Sequence, residues 1–317
     1  LTVTNTGNGS SLAASDLNSL DSKTSGTVTT DDGLLTLTGT VSALNTAYGS
    51  AGLSIDGDEA ITISDTTVDA EELNNLNNYT SGVINAGTLT KLTGTLADVN
   101  VAFAADAASS ATISGLGSQA VELTDTNVLA ADLNTLNGYT EGTIDASTVA
   151  EIEGTASALN DVYDTAGFSG LANEAVTVTD TTADLAALVT LDGNTTGTID
   201  ASAVHTLNGT VDNANSVYES DGFTGLGSEK VTLTDSTLGD VADLNTLNGY
   251  TTGNVDASNI SQITGSISAL NIAYAAESAL GNGISGLGNE ALILSDSGTL
   301  TDVAALTTLN GNTTGSI

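Results

Sequence analysis

Apolar and hydroxyl side chains alternate in a short segment that keeps returning along the chain. In AVTVTDTT (175–182), Val176 and Val178 alternate with Thr177 and Thr179, the pattern of a strand buried on one face. Close copies are AITISDTT (60–67), AVELTDTN (120–127), KVTLTDST (230–237) and ALILSDSG (291–298), with a partial copy at 1–6. The Asp closing each copy is Asp65, Asp125, Asp180, Asp235 and Asp296, with Asn5 in the first, which gives a period of 55 to 61 residues. A second kind of strand start precedes TGT (38–40 and 93–95), EGT (153–155), NGT (208–210) and TGS (264–266). Leu35 and Leu37 fit a one-sided strand there, whereas Ala150 with Ile152 and His205 with Leu207 fit less well.

Helical patterns follow both kinds of strand. Thr40, Thr95, Thr155, Thr210 and Ser266 stand directly before the second kind of run, where a hydroxyl can accept from the open N–H groups of a first turn. Apolar residues then fall at i, i+3 and i+4: Leu44/Ala47/Tyr48, Val99/Ala102/Phe103, Leu159/Val162/Tyr163, Ala214/Val217/Tyr218 and Leu270/Ala273/Tyr274. The other runs carry Ala70/Leu73/Leu76, Ala130/Leu133/Leu136, Leu185/Leu188/Leu191 and Val241/Leu244/Leu247. Helices this short do not hold alone and need neighbours to dock on. They end at Asn137-Gly138, Asp192-Gly193 or Asn248-Gly249, and the chain returns through TIDAS or GFSGLG wording.

Strand, cap, short helix and return therefore make one coil of about 28 residues, two coils to each repeat. The fold predicted is α/β: a right-handed β/α solenoid with a parallel sheet on one side and short helices on the other. No Pro/Gly/Ser linker marks the repeat boundaries, so 1–317 reads as one continuous solenoid segment. Leu1 is not an initiator Met and neither end shows a polar capping coil, which makes the expectation a piece of a longer chain.

Composition narrows the function classes. The 317 residues hold 39 Asp+Glu against 3 Lys+Arg, a net charge of −36. Nucleic acid and anionic lipid are excluded as partners, because phosphate binding needs clustered cations and Lys23, Lys91 and Lys230 lie far apart. Cations, calcium among them, are the expected counter-ions. The apolar runs are too short for a membrane span.

The units LTGTVSALNTAYGSAG (37–52) and AADLNTLNGYTEGTIDAST (130–148) resemble repeats in giant, repetitive cell-surface proteins of marine cyanobacteria, a group that includes a protein needed for swimming without flagella. Such proteins are often grouped with calcium-dependent, type I-secreted adhesins. The resemblance covers essentially the whole chain and implies a secreted, extracellular or cell-surface location. The calcium-binding GGxGxDxUx nonapeptide of that class is absent, so its calcium sites do not carry over.

Candidate chemistry is sparse. The recurring Asp65, Asp125, Asp180, Asp235 and Asp296, and Asp145, Asp200 and Asp256 of the returns (Asn85 in one copy), read as capping and turn residues or as calcium ligands. Asn18, Asn45, Asn74, Asn100, Asn134, Asn160, Asn245 and Asn271 read as an internal amide ladder between coils, with glycan contact as the alternative. Tyr48, Phe103, Tyr163, Tyr218 and Tyr274 read as a packed aromatic column. Outward Thr2/Thr4, Thr36/Thr38, Thr62/Ser64, Thr177/Thr179 and Thr232/Thr234 resemble the regular ranks of ice-binding solenoids, with Lys91, Glu122, Glu151, Glu153, Asn208, Gln262 and Ile293 interrupting the array. His205 is the only His and there is no Cys, so neither a transition-metal site nor a Ser/His/Asp site is expected. The irregular stretches 104–111 and 275–283 carry one carboxylate each. The expectation is no enzyme. It is a structural repeat region of an extracellular fibre, surface layer or adhesin, a rigid spacer that associates with itself and possesses no certain cofactor. Cell-surface polysaccharide is a further candidate partner; a calcium-dependent adhesion module and an ice-binding solenoid are the alternatives.

Overall fold

A computed structural model describes residues 1–3, 11–30, 36–277, 282–297 and 303–317. Thr4, Asn5 and Leu35, named above, lie outside the described residues, as do 278–281 of the second irregular stretch. The chain divides into two compact units, 1–150 with 165–171 and 151–164 with 172–317. Each unit is an α/β array of strand–helix repeats with parallel sheets. The helices of the described residues are α1 (Ala14–Asp21), α2 (Val41–Gly49), α3 (Ala70–Tyr79), α4 (Leu96–Ala107), α5 (Ala130–Tyr139), α6 (Ala156–Asp164), α7 (Leu185–Asn194), α8 (Val211–Glu219), α9 (Val241–Tyr250), α10 (Ile267–Ala275) and α11 (Val303–Asn312). Their spacing is that of the coil expected from the sequence. Odd-numbered helices carry the i, i+3, i+6 stripe and even-numbered ones the hydroxyl cap.

The strands are more numerous and more staggered than the alternation suggests. In the first unit one sheet runs Thr67–Asp69, Lys91–Gly94, Ala120–Leu123, Ile144–Asp145, Phe168–Ser169, all parallel. In the second unit the matching sheet runs Thr182–Asp184, Thr206–Gly209, Lys230–Leu233, Asn254–Asp256, Gly283–Ser285. Each begins on the strand that enters an odd-numbered helix and passes to the strand that enters an even-numbered one. It then takes the long VTVT-type strand and ends on two returns. A strand thus pairs with a different part of the neighbouring coil, and the sheets stay short. The register keeps one face apolar (Val68, Leu92, Val121, Ile144, Phe168) and the other polar (Asp69, Thr93, Glu122, Asp145, Ser169).

The core is built of small aliphatic layers. Val176 and Val178 point inward as expected, and the stripes Ala70/Leu73/Leu76 and Leu185/Leu188/Leu191 are fully buried. Gly39, Gly94, Gly209 and Gly265 of the TGT-like triplets face a helix start: a Cβ on Gly209 would lie 2.8 Å from Leu185 Cβ, and one on Gly265 2.4 Å from Val241 Cγ1. The triplet thus joins two local demands, a bare backbone where the neighbouring coil's helix packs and a hydroxyl to cap its own.

The amide ladder is present. Asn18, Asn45, Asn74 and Asn100 donate through Nδ2 to the carbonyls of Ala43, Glu72, Asp98 and Asp132 at 2.9, 2.9, 2.9 and 3.1 Å. In the second unit Asn160, Asn245 and Asn271 do the same to Ala187, Ala269 and Ala305 at 2.9, 3.0 and 3.0 Å, and Asn215, outside the expected set, joins them on Asp243 at 3.0 Å. Each bond reaches a first-turn carbonyl of the next helix, so one coil's side chain closes on the next coil's backbone.

One cap is missing. Asp69, Asp184 and Asp240 accept from first-turn N–H groups of α3, α7 and α9 at 3.0, 2.9 and 2.9 Å. At the same place before α5 stands Leu129, 49 % exposed, with no side-chain cap but a similar backbone (φ −92°, ψ 132° against −78°, 133° at Asp69). Leu129→Asp is expected to stabilise the protein by about 1 kcal/mol in urea unfolding. An unchanged or lower midpoint would contradict this.

Candidate functional site

The aspartates that close the long strands reach back to the preceding even-numbered helix. Asp65 Oδ2 accepts from the N–H of Val41 at 2.9 Å, and Asp125 from Leu96 at 2.7 Å. In the second unit Asp180, Asp235 and Asp296 accept from Ala156, Val211 and Ile267 at 2.7, 2.9 and 2.8 Å. The local hydroxyl takes another N–H of the same turn: Ala43 donates to Thr40, and Asn213 to Thr210, both at 3.2 Å. Each of these helix starts therefore has two caps, one from its own coil and one from the next. The carboxylate also lies at the positive end of the helix dipole.

The return aspartates do something else. Asp145, Asp200 and Asp256 accept from the N–H of Ser147, Ser202 and Ser258 at 3.0, 2.9 and 3.2 Å, closing tight turns. Hydrogen bonds from the Ser147 hydroxyl and N–H hold Asp145 below the usual carboxylate range, and those from Ser202 do the same for Asp200. For Asp256 the Ser258 hydroxyl contributes most, with Lys230 adding to it. The residues named as calcium ligands thus occupy two separate hydrogen-bonding roles. Among the described residues no three His, Cys, Asp or Glu side chains come together as a metal site.

A set of buried polar residues went unnoticed in the sequence. Glu59, Glu174, Glu229 and Glu290 stand directly before the long strands and are only 3, 4, 2 and 0 % exposed. Each accepts from the phenol of the aromatic column: Tyr48 to Glu59 at 3.1 Å, Tyr163 to Glu174 at 3.2 Å, Tyr218 to Glu229 and Tyr274 to Glu290 at 2.8 Å. Loop N–H groups of Gly57, Ala172, Gly227 and Gly288 complete these sites. The remaining copy has lost both partners together. Phe103 fills the tyrosine place and Gln119 the glutamate place, and Gln119 Nε2 donates to the Gly115 and Leu89 carbonyls at 2.8 and 3.3 Å. Where the ring has no hydroxyl to give, the side chain opposite supplies its own donors. That paired change was the signal available in the sequence.

Burial, together with the adjoining glutamate, pushes the phenols of Tyr48, Tyr218 and Tyr274 well above their ordinary range. Tyr163 is pushed up to about 12, burial again being the largest cause. Folded-state values above the unfolded one, about 10, stabilise the fold below that pH. Stability is therefore expected to be level up to about pH 10 and to fall as pH rises toward 12, because the unfolded chain sheds protons the folded chain retains. Melting temperatures across that range provide the check; a flat profile would contradict it.

The other candidates are dispersed. Thr38 aligns with Thr62, but Thr62 aligns with Asn85, Thr177 with Glu153 and Asp200, and Thr232 with Asn208 and Asp256, so carboxylates and amides break the threonine ranks. Lys91 pairs with Glu122, and Lys230 with Asp256 at 3.3 Å. His205 is exposed beside Lys230 in a shallow groove with Ser202, Ser228 and Asn254. In the first irregular stretch Asp106, in the last turn of α4, accepts from the Leu116 N–H at 3.3 Å, a bond that ties the following loop to the helix end. No helix of the described residues is long and apolar enough to cross a membrane. A scan against protein-family models and a search of the curated proteins found no match to this chain.

Proposed function

We propose that this chain is a structural spacer of an extracellular or cell-surface assembly, made to hold distance and to pack beside other copies of itself, without catalysis. The observation that carries this reading is where the recurring polar side chains go. Asp65-type carboxylates, Asn45-type amides and Glu59-type acids all bond to the backbone or side chains of their own or an adjoining coil. Chemistry repeated along the array and turned onto the coils supports stacking, with stability that adds along the array. Electron microscopy of native material is the test: ordered fibres or coats are expected, and dispersed single particles at high concentration would sink the reading.

Charge sets the conditions for such packing. With a net charge of −36 and two ion pairs among the described residues, the fold and any neighbour repel at low salt. The melting temperature is expected to rise from about 10 mM to about 150 mM NaCl, as the screening length drops from about 30 Å to about 8 Å. Calcium and magnesium at matched ionic strength are expected to act alike. A calcium-specific rise would favour the calcium-dependent adhesion module instead.

A further inference from the structure

The chain has no Cys, Met or Trp, so one-electron oxidation of its side chains falls on tyrosine. The tyrosines are not equivalent. Tyr48, Tyr163, Tyr218 and Tyr274 each spend the hydroxyl on a buried glutamate. Tyr79 and Tyr250 end α3 and α9 and are 47 and 36 % exposed. Their rings lie against those of buried-hydroxyl tyrosines: Tyr79 on Tyr48 with centroids 5.9 Å apart and planes 5° apart, and Tyr250 on Tyr218 at 5.8 Å and 16°. A parallel second ring stabilises an oxidised phenol by sharing its electron deficiency. Tyr250 also donates to Glu219 Oε1 at 3.0 Å, a base placed to take its proton as the electron leaves.

We propose that Tyr79 and Tyr250 are sites of oxidative coupling, each joining by a ring-to-ring carbon bond to a Tyr79 or Tyr250 of a second copy; this rests on the side-by-side packing proposed above. The oxidant is hydrogen peroxide acting through a haem peroxidase. Each of two phenols gives up its O–H proton and one electron, and the peroxide leaves as two waters. The two phenoxyl radicals join through ring carbons ortho to oxygen. Each joined carbon then loses its hydrogen, which returns to oxygen as the ring becomes aromatic again. The stacked partner in the same chain is fixed by its hydroxyl bond to a buried glutamate, so its ring does not shift to bring an ortho carbon to bonding distance, which leaves coupling to an outside ring.

The test uses the full chain, a haem peroxidase and limiting peroxide, with denaturing gels, dityrosine fluorescence and peptide mapping. Dimers are expected, with linked peptides containing Tyr79 or Tyr250. The double variant Tyr79→Phe/Tyr250→Phe, which keeps both stacks, is expected to lose the dimers at an unchanged melting temperature, while Tyr139→Phe keeps them. Links mapped mainly to Tyr139 or to the glutamate-bound tyrosines, or dimers persisting in the double variant, would overturn the proposal. If coupling maps as expected while microscopy finds no assemblies, the spacer reading fails and the reactive sites stand; assemblies without such links give the reverse.

Discussion

Gly253→Ala is expected to cost about 3 kcal/mol or more of folding stability, because the added methyl has no space and its neighbour cannot yield. A Cβ there would stand 2.1 Å from the Glu229 carbonyl oxygen and 2.5 Å from its carbon. That carbonyl also accepts from the Thr251 hydroxyl at 2.9 Å, and the same hydroxyl accepts from the Gly253 N–H at 2.9 Å. Moving it aside pulls on the strand that starts at Lys230, which is paired on both sides. The need is for close approach alone, since the Gly253 φ lies outside the left-handed range. Gly249 is the matched control. It lies in the last turn of α9, exposed, with nothing within 4 Å of a Cβ. Gly249→Ala is expected to be neutral or to gain up to about 1 kcal/mol from helix propensity. Urea unfolding of the two variants separates them, and equal midpoints would refute the argument.

Tyr218→Phe is expected to cost about 1–3 kcal/mol, and adding Glu229→Gln to return much of it. The single change removes the 2.8 Å donor to Glu229, leaving a carboxylate 2 % exposed with only the Gly227 N–H. A glutamine at this place can turn Nε2 to loop carbonyls, as Gln119 does opposite Phe103. The protein thus already contains both halves of the double-mutant cycle, the Tyr/Glu pair in most copies and the Phe/Gln pair in one. The reciprocal holds in the first unit: Gln119→Glu is expected to destabilise, and Phe103→Tyr to compensate. Additive effects in either cycle would mean that the two positions act separately.

The helices were legible in the sequence because their causes are local. A hydroxyl before the first turn, an apolar stripe and a Gly or Asn at the end all act within a few residues. The amide ladder was legible for a different reason: an Asn repeated on one helix face needs a partner, and stacking supplies one at every step. The short strands Thr67–Asp69 and Thr182–Asp184 were not, since two or three residues cannot display alternation, and they exist through pairing with Lys91–Gly94 and Thr206–Gly209.

The site residues divide in the same way. Asp65 and its equivalents could be read as capping residues, but not as caps of the helix before them, 24 residues earlier in the chain at Val41. In the sequence Glu229 is one of 39 acids and stands in a polar, glycine-rich return. Stacking buries it against Tyr218, and a buried acid needs donors. By itself the sequence determined the repeat, the helix positions and the hydroxyl caps of the even-numbered helices. Only the tertiary structure decided which coil each cap serves, which strand meets which, and that glutamate and tyrosine form one buried unit, because these depend on what lies one coil away in space.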